Sequence, residues 1–326
     1  MKLLLTGATG FLGARVTSLL AEHGHELSVL HRPQSNVASV KAYASRLIVG
    51  DVTDPIVALR AADEMDAIVH MAADLSHWHR HRERIFRTNV TGTRVVAEAA
   101  KTAGVAKIVH ISTIAAVGYS PDGTPVVETA QNNFVPLRMV YHESKRLAEE
   151  EALDAARYGV DVVIVNPGVL YGPRDVTHTF GHTMLELAKG KIPGHPTGGL
   201  SVTDVDDAAA GIVSALTAAR SGERYLLTGH NLTYEQVFSA QARAVGTQYR
   251  GRALSPLLMY AAARAFEFRS RFTGVEPRLT IDNAKIAPLL MWYDHSKAAR
   301  ELRYRPRALE DTLARMASTY REAGLL

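Results

Sequence analysis

Short apolar runs alternate with amphipathic stretches through the first half of the chain. Residues 3–6, 27–30, 47–50, 67–71, 108–111 and 162–165 are mostly Val, Ile and Leu. Runs that are apolar at consecutive positions suit strands covered on both faces, as in a parallel sheet. Helical spacing appears between them, over 14–23, 92–103 and 141–158. Gly24, Gly104 and Gly159 stand where a glycine closes a helix. This rhythm predicts an α/β fold with a doubly wound parallel sheet of Rossmann type. After Pro167 the rhythm loosens, with turn signals at Gly172-Pro173, Gly190, Pro193-Gly194 and Pro196-Thr197-Gly198-Gly199. Helices are expected over 206–219, 233–245, 294–302 and 309–322, a strand over 225–228, and a helix start at Ser255-Pro256. The reading is a dinucleotide-binding domain over 1–168, to which 200–229 returns, and a smaller, mainly helical substrate lobe over 169–326.

The sharpest local signal is Thr6-Gly7-Ala8-Thr9-Gly10-Phe11-Leu12-Gly13, between the first strand and a helix carrying Val16, Leu19 and Leu20 on one face. Gly7 permits a tight turn, Gly10 lets backbone approach a pyrophosphate, and Gly13 lets helix and strand pack closely. The helix start then offers N–H groups and a favourable dipole to an anion. The spacing is GxxGxxG, not the commoner GxGxxG.

Composition narrows the chemistry. There is no cysteine among the 326 residues, which excludes disulfides, thiolate nucleophiles and Cys-based zinc sites. The formal charge of +4 favours anionic ligands slightly, but Lys and Arg are scattered, so nucleic acid is not expected. Met1-Lys2 runs directly into the first strand, too short an apolar stretch for a signal peptide. The longest helix-like apolar stretch, 256–266, contains Arg264 and is too short to span a bilayer. A cytoplasmic protein is expected.

Tyr141 and Lys145 lie four apart at a helix start and share one face. A nearby ammonium favours the phenolate, so the spacing predicts a tyrosine of lowered pKa acting as acid or base. Ser112 and Thr113 end the fifth strand, where a hydroxyl can bond a substrate carbonyl oxygen. Thr113 is the preferred candidate and Ser112 the alternate. Asp51, after the third strand, can accept from an adenine amino group or simply cap a turn. Ala72-Ala73 after the fourth strand leave room for a flat ligand. His77-Trp78-His79-Arg80-His81-Arg82 reads as a solvated basic rim in preference to a metal site, and no metal is expected.

TGxxGxxG, GDVTD, HMAAD, Asn89 in NVTGT, STIAAVG, YHESK and NPGVLYGP follow one another in this order. The set resembles the extended short-chain dehydrogenases/reductases of the epimerase/dehydratase superfamily. It is most similar to the dihydroflavonol reductase-like and hopanoid-associated sugar epimerase-like members, which the C-terminal MWYDHSKAARELRYRPR also resembles. The resemblance implies a nicotinamide cofactor and a catalytic set of Thr113, Tyr141 and Lys145. It places cofactor contacts at Gly7, Thr9, Gly10, Phe11, Leu12, Gly13, His31, Arg32, Asp51, Val52, Met71, Ala72, Ala73, Asn89, Pro167 and Val169, besides Tyr141 and Lys145. It also implies a homodimer built on helices 92–103 and 141–158.

Many nucleotide-sugar enzymes of this kind carry Arg-Asp-Phe before their paired acids and Arg before Pro167. This chain has Leu200-Ser201-Val202 and Asn166. The expectation is therefore reduction of a carbonyl in a small organic substrate, or the reverse oxidation of its alcohol. A sugar epimerase or dehydratase is the alternative, and a non-catalytic dinucleotide sensor the third reading. The second strand ends in His31-Arg32, and no carboxylate lies between Leu27 and Gly50. An acidic residue there would accept from both ribose hydroxyls of NAD. Arg32 suits a 2′-phosphate instead, so NADP(H) is expected first and NAD(H) second.

Overall fold

A computed structural model describes residues 1–173, Asp175 and 179–326. The strands are β1 (Lys2–Thr6), β2 (Glu26–His31), β3 (Arg46–Val49), β4 (Ala67–His70), β5 (Lys107–Ile111), β6 (Asp161–Pro167), β7 (Val169–Tyr171), β8 (Gly194–His195), β9 (Gly199–Asp204), β10 (Arg224–Leu227), β11 (His230–Thr233) and β12 (Arg252–Ala253). The helices are α1 (Phe11–Glu22), α2 (Pro55–Ala62), α3 (Arg82–Phe86), α4 (Gly92–Ala103), α5 (Val140–Asp154), α6 (Thr179–Ala188), α7 (Val205–Ala218), α8 (Tyr234–Ala244), α9 (Pro256–Thr273), α10 (Ile281–Ile286), α11 (Ser296–Glu301) and α12 (Leu309–Glu322).

Seven strands form one sheet in the order β10-β6-β5-β4-β1-β2-β3, and every pairing is parallel. The period of two along each strand divides the core in two. Leu3 and Leu5 face one layer with Val16, Leu20 and Ile212, while Leu4 faces the other with Ile68, Val96 and Ile108. Each such leucine contributes about 1.5–3 kcal/mol by leaving water. Both layers being covered explains why these strands read as apolar runs. Chain order reverses between β1 and β4, and a crevice opens beyond the carboxyl ends of strands at such a point. Gly24, Gly104 and Gly159 take φ of 77°, 71° and 87°, the left-handed values that end a helix.

The second half is largely helical and also contains a small sheet, β11-β9-β7, that the hydrophobic pattern did not predict. Its central strand is buried throughout, with Ser201 and Thr203 as hidden as Leu200 and Val202, so no alternation marks it. The helix expected over 294–302 is shorter, because the Asp294 carboxylate accepts from Ser296 N and Oγ and holds a turn. The helix expected over 141–158 ends at Asp154 and passes into a 3₁₀ turn, Ala155–Tyr158. Arg307 bonds Asp207 at 3.0 and 2.7 Å, and Arg15 bonds Asp206 at 2.7 Å. These pairs tie the C-terminal segment and α1 to the start of α7.

Candidate active site

The turn after β1 is built from close backbone approaches. Gly7 sits at φ +70°, and a Cβ there would lie 2.5 Å from the Met71 carbonyl carbon at the end of β4. A Cβ on Gly13 would lie 2.2 Å from Gly7 O. Gly10 differs. A Cβ there would meet only Gly7 O, at 3.4 Å, and its φ is an ordinary −77°. The fold does not require glycine at that position, so the missing side chain leaves open space on the crevice side. No side chain caps α1 and its first turn carries no acid, leaving the helix start suited to a pyrophosphate.

Two adjoining cavities follow the crevice. The first, about 470 Å³, is lined by Gly7, Thr9, Gly10, His31, Arg32, Asp51, Val52, Met71, Ala72 and Ala73. The second, about 530 Å³, is lined by Phe11, Leu12, Gly13, Ser112, Thr113, Tyr141, Lys145, Pro167 and Val169, and shares Gly7, Met71, Ala73 and Leu75 with the first. The two brackets of candidate residues, far apart in sequence, thus meet along one channel. Its glycine-lined floor suits a dinucleotide.

Asn89 is the exception. It is buried in the π-helical turn Arg87–Thr91 between α3 and α4 and does not line either cavity. Its Nδ2 donates to Asp74 O at 3.0 Å and Ser144 Oγ at 2.9 Å, and its Oδ1 accepts from Asp74 N at 2.7 Å. Asn89 fixes the backbone beside the crevice. Asp51 also has a local task, since its Oδ1 accepts from Thr53 N and Oγ1 at 2.9 and 2.8 Å. Sequence reasoning missed Ser35, Asp74, Leu75, Arg84 and Thr88 in the first cavity, and His77, Ile114 and Leu170 in the second. Arg84 Nε donates to Asp74 Oδ2 at 2.5 Å, on the same segment whose backbone Asn89 holds at Asp74.

At the reacting end, Tyr141 is buried and lines the same cavity as Thr113. Its ring packs on His77, with centroids 4.8 Å apart. Thr113 Oγ1 also accepts from Ala115 N at 3.3 Å, which fixes its rotamer. Ser112 Oγ is buried with no hydrogen-bond partner among the described residues. Lys145, buried on the same face of α5, donates to Ile111 O at 3.0 Å.

Burial pushes the Tyr141 phenol up to about 12, outweighing the opposing influence of the neighbouring Thr113 hydroxyl. Burial pulls the Lys145 ammonium down to about 8, against the pull of Glu149. The expected lowering of Tyr141 by Lys145 is therefore corrected: desolvation dominates and the phenol stays protonated at neutral pH.

The three histidines of the basic segment diverge. His77 faces Tyr141, His79 Nε2 lies 3.1 Å from Asp282 Oδ1, and His81 Nδ1 lies 3.1 Å from Ser76 Oγ. Asn166, where a sugar-binding arginine was looked for, is buried and donates to Thr113 O at 2.8 Å and Glu149 Oε1 at 2.7 Å.

Comparison with known proteins gives a consistent picture. The family model described as "NAD dependent epimerase/dehydratase family" matches residues 3–227. A Synechocystis sp. protein assigned provisionally as a dihydroflavonol 4-reductase is 32% identical over 95% of this chain and 92% of its own length. Sterol demethylase protein B of Methylococcus capsulatus is 30% identical over the full length of both chains. The crystal structure of gox2253 is 34% identical, covering 100% of this chain and 99% of its own, with a TM-score of 0.87. Other relatives carry reductase names, and others the names of sugar epimerases or dehydratases.

Proposed function

The chain belongs to the NAD dependent epimerase/dehydratase family, and from that premise we propose that it is an NADPH-dependent reductase of a small organic ketone or aldehyde. The observation that carries this reading is the convergence of Thr113, Tyr141 and Lys145 in one otherwise largely apolar cavity continuous with the dinucleotide channel. Phe11, Leu12, Met71, Leu75, Ile114 and Leu170 offer a sugar no polar partners. The stretch Leu200-Ser201-Val202 is enclosed in the small sheet and supplies no cation.

When bound, the nicotinamide supplies a hydride to the carbonyl carbon. The rest falls to this chain. Thr113 and Tyr141 hold the carbonyl oxygen, and Tyr141 delivers the proton to it as negative charge develops. The phenol, pushed up to about 12 by burial, carries its proton at neutral pH, the state in which it donates to a carbonyl oxygen. Lys145 bonds the ribose hydroxyls while anchored on Ile111 O. The glycine turn and the start of α1 hold the pyrophosphate. A panel of ketones and aldehydes, followed by NADPH absorbance, tests the activity. No consumption with any of them contradicts it.

The Lys145 ammonium loses its proton near pH 8. Below that pH it is charged and can orient the ribose, and above it that charge is lost. The value of kcat/KM for reduction is therefore expected to be flat below pH 8 and to fall above it. A profile still level at pH 10 contradicts this role.

The preference for NADP(H) rests on Arg32. It lines the first cavity beside His31 and Ser35, and its guanidinium has no side-chain partner among the described residues. Paired, charge-assisted bonds to a 2′-phosphate contribute about 1.5–3 kcal/mol. Arg32→Ala should weaken NADPH binding roughly 10- to 100-fold and leave NADH binding nearly unchanged. Titration of both cofactors decides it. Equal affinity of the wild type for the two contradicts the preference.

A further inference from the structure

Helix α9 is placed unlike the other long helices. Of its 18 residues only Ala263 and Ser270 are buried. At 100° per residue, Leu257, Ala261, Phe268 and Phe272 form one outward stripe. Leu257 is 78% exposed, Phe268 59% and Phe272 79%. The two phenyl rings touch edge to face, 5.4 Å between centroids, and so make one apolar surface. Leu258 and Val275 extend it at either end, both exposed.

The charges around this stripe have one sign. Arg264 and Arg271 flank it on one side and Arg269 on the other, all exposed. Residues 250–278 contain six arginines and two glutamates. Both glutamates are engaged on the inner side: Glu267 accepts from Ile281 N at 2.8 Å and Glu276 from Ser76 Oγ at 2.9 Å. The outward face therefore combines aromatic and aliphatic groups with cations and no carboxylate. Arginine stems of this kind lie along apolar surface while their heads reach an anionic layer. No described helix is long and apolar enough to cross a membrane.

We propose that α9 seats this protein, without spanning it, on the surface of an anionic phospholipid bilayer. The charge complementarity selects this occupant. A second copy of the chain would bring its own arginines against Arg264, Arg269 and Arg271, and like charges repel.

The seat adjoins the reacting end. Arg80 Nη1 donates to Arg271 O at 3.4 Å. Asp282, in α10 packed against α9, pairs with His79 and accepts from Val140 N at 2.9 Å, one residue before Tyr141. If the reductase reading holds, docking brings the chain to lipophilic carbonyl compounds dissolved in the bilayer; the docking itself does not depend on that reading.

The test is sedimentation of the full chain with vesicles. One set is an equal mixture of phosphatidylcholine and phosphatidylglycerol, the other phosphatidylcholine alone. The protein is expected to pellet with the mixed vesicles and much less with the neutral ones, and to be released by high salt. The variant Phe268→Ser/Phe272→Ser should lose roughly tenfold or more in partitioning. Arg264→Gln/Arg269→Gln/Arg271→Gln should lose the preference for anionic vesicles. This second variant keeps the docking testable even if the phenylalanine variant folds poorly. Both should keep cofactor affinity and carbonyl turnover in vesicle-free solution, which separates failure of docking from failure of the reductase reading. A wild type that stays in the supernatant overturns the proposal. So does pelleting of both variants equal to wild type, or a phenylalanine variant whose only change is a smaller mass by light scattering.

Discussion

Tyr141→Phe is expected to abolish nearly all turnover and to leave cofactor binding intact. The ring is buried and held against His77 at 4.8 Å, and phenylalanine keeps that packing. What is lost is one hydroxyl, beside Thr113 in the cavity and held protonated by burial, which pushes it up to about 12. A positioned general acid contributes on the order of 10²–10⁴ in rate, and the same hydroxyl also holds the oxygen on which charge develops. The expected loss in kcat is therefore about a thousandfold, with little change in the dissociation constant of NADPH. A variant retaining more than about a tenth of wild-type kcat places the proton elsewhere.

The glycine turn makes the second large prediction, and it separates three residues that look alike in sequence. Gly7→Ala adds a strained backbone and a contact 2.5 Å from Met71. Gly13→Ala drives a methyl to 2.2 Å from Gly7 O. Both neighbours are backbone atoms at the carboxyl ends of central strands, Gly7 just after β1 and Met71 just after β4, so neither shifts cheaply. Each variant should lose at least about 3 kcal/mol of stability, read as a lower urea midpoint. Gly10→Ala meets only one atom, at 3.4 Å, and should stay within about 1 kcal/mol of wild type. It should nonetheless bind cofactor at least roughly tenfold more weakly, since its methyl stands in the channel. A Gly13→Ala protein as stable as wild type contradicts the packing account, and a Gly10→Ala protein of full affinity contradicts the pyrophosphate account.

The large sheet was legible in the sequence because helices cover both of its faces, so residues such as Leu3, Leu4 and Leu5 are all apolar. The small sheet was not, because β9 buries Ser201 and Thr203 beside Leu200 and Val202 and leaves no alternation. The channel was legible at its glycines and strand ends, where the parallel topology forces residues together. Arg84 and Asp74 were invisible, since their meeting depends on the path of the loop after β4 and not on strand order. Asn89 itself was placed among the cofactor contacts by its motif and instead clamps Asp74 and Ser144. The Tyr141–Lys145 spacing predicted a shared face, which α5 provides, but not which of burial and charge controls the phenol. The apolar stretch 256–266 was read as helix-like, while its outward orientation depends on Ala263 and Ser270 being the residues turned inward.

The central claim is net hydride transfer to a carbonyl group, with Tyr141 supplying the proton. Its most direct test is a turnover with NADPH deuterated at the transferred position, on a ketone that the enzyme accepts. The account predicts one NADPH consumed for each alcohol formed, with deuterium on the carbinol carbon and none of it in Tyr141→Phe reactions. A product isomeric with its substrate, formed at constant NADPH absorbance and without label, would contradict it and assign the site to internal epimerisation.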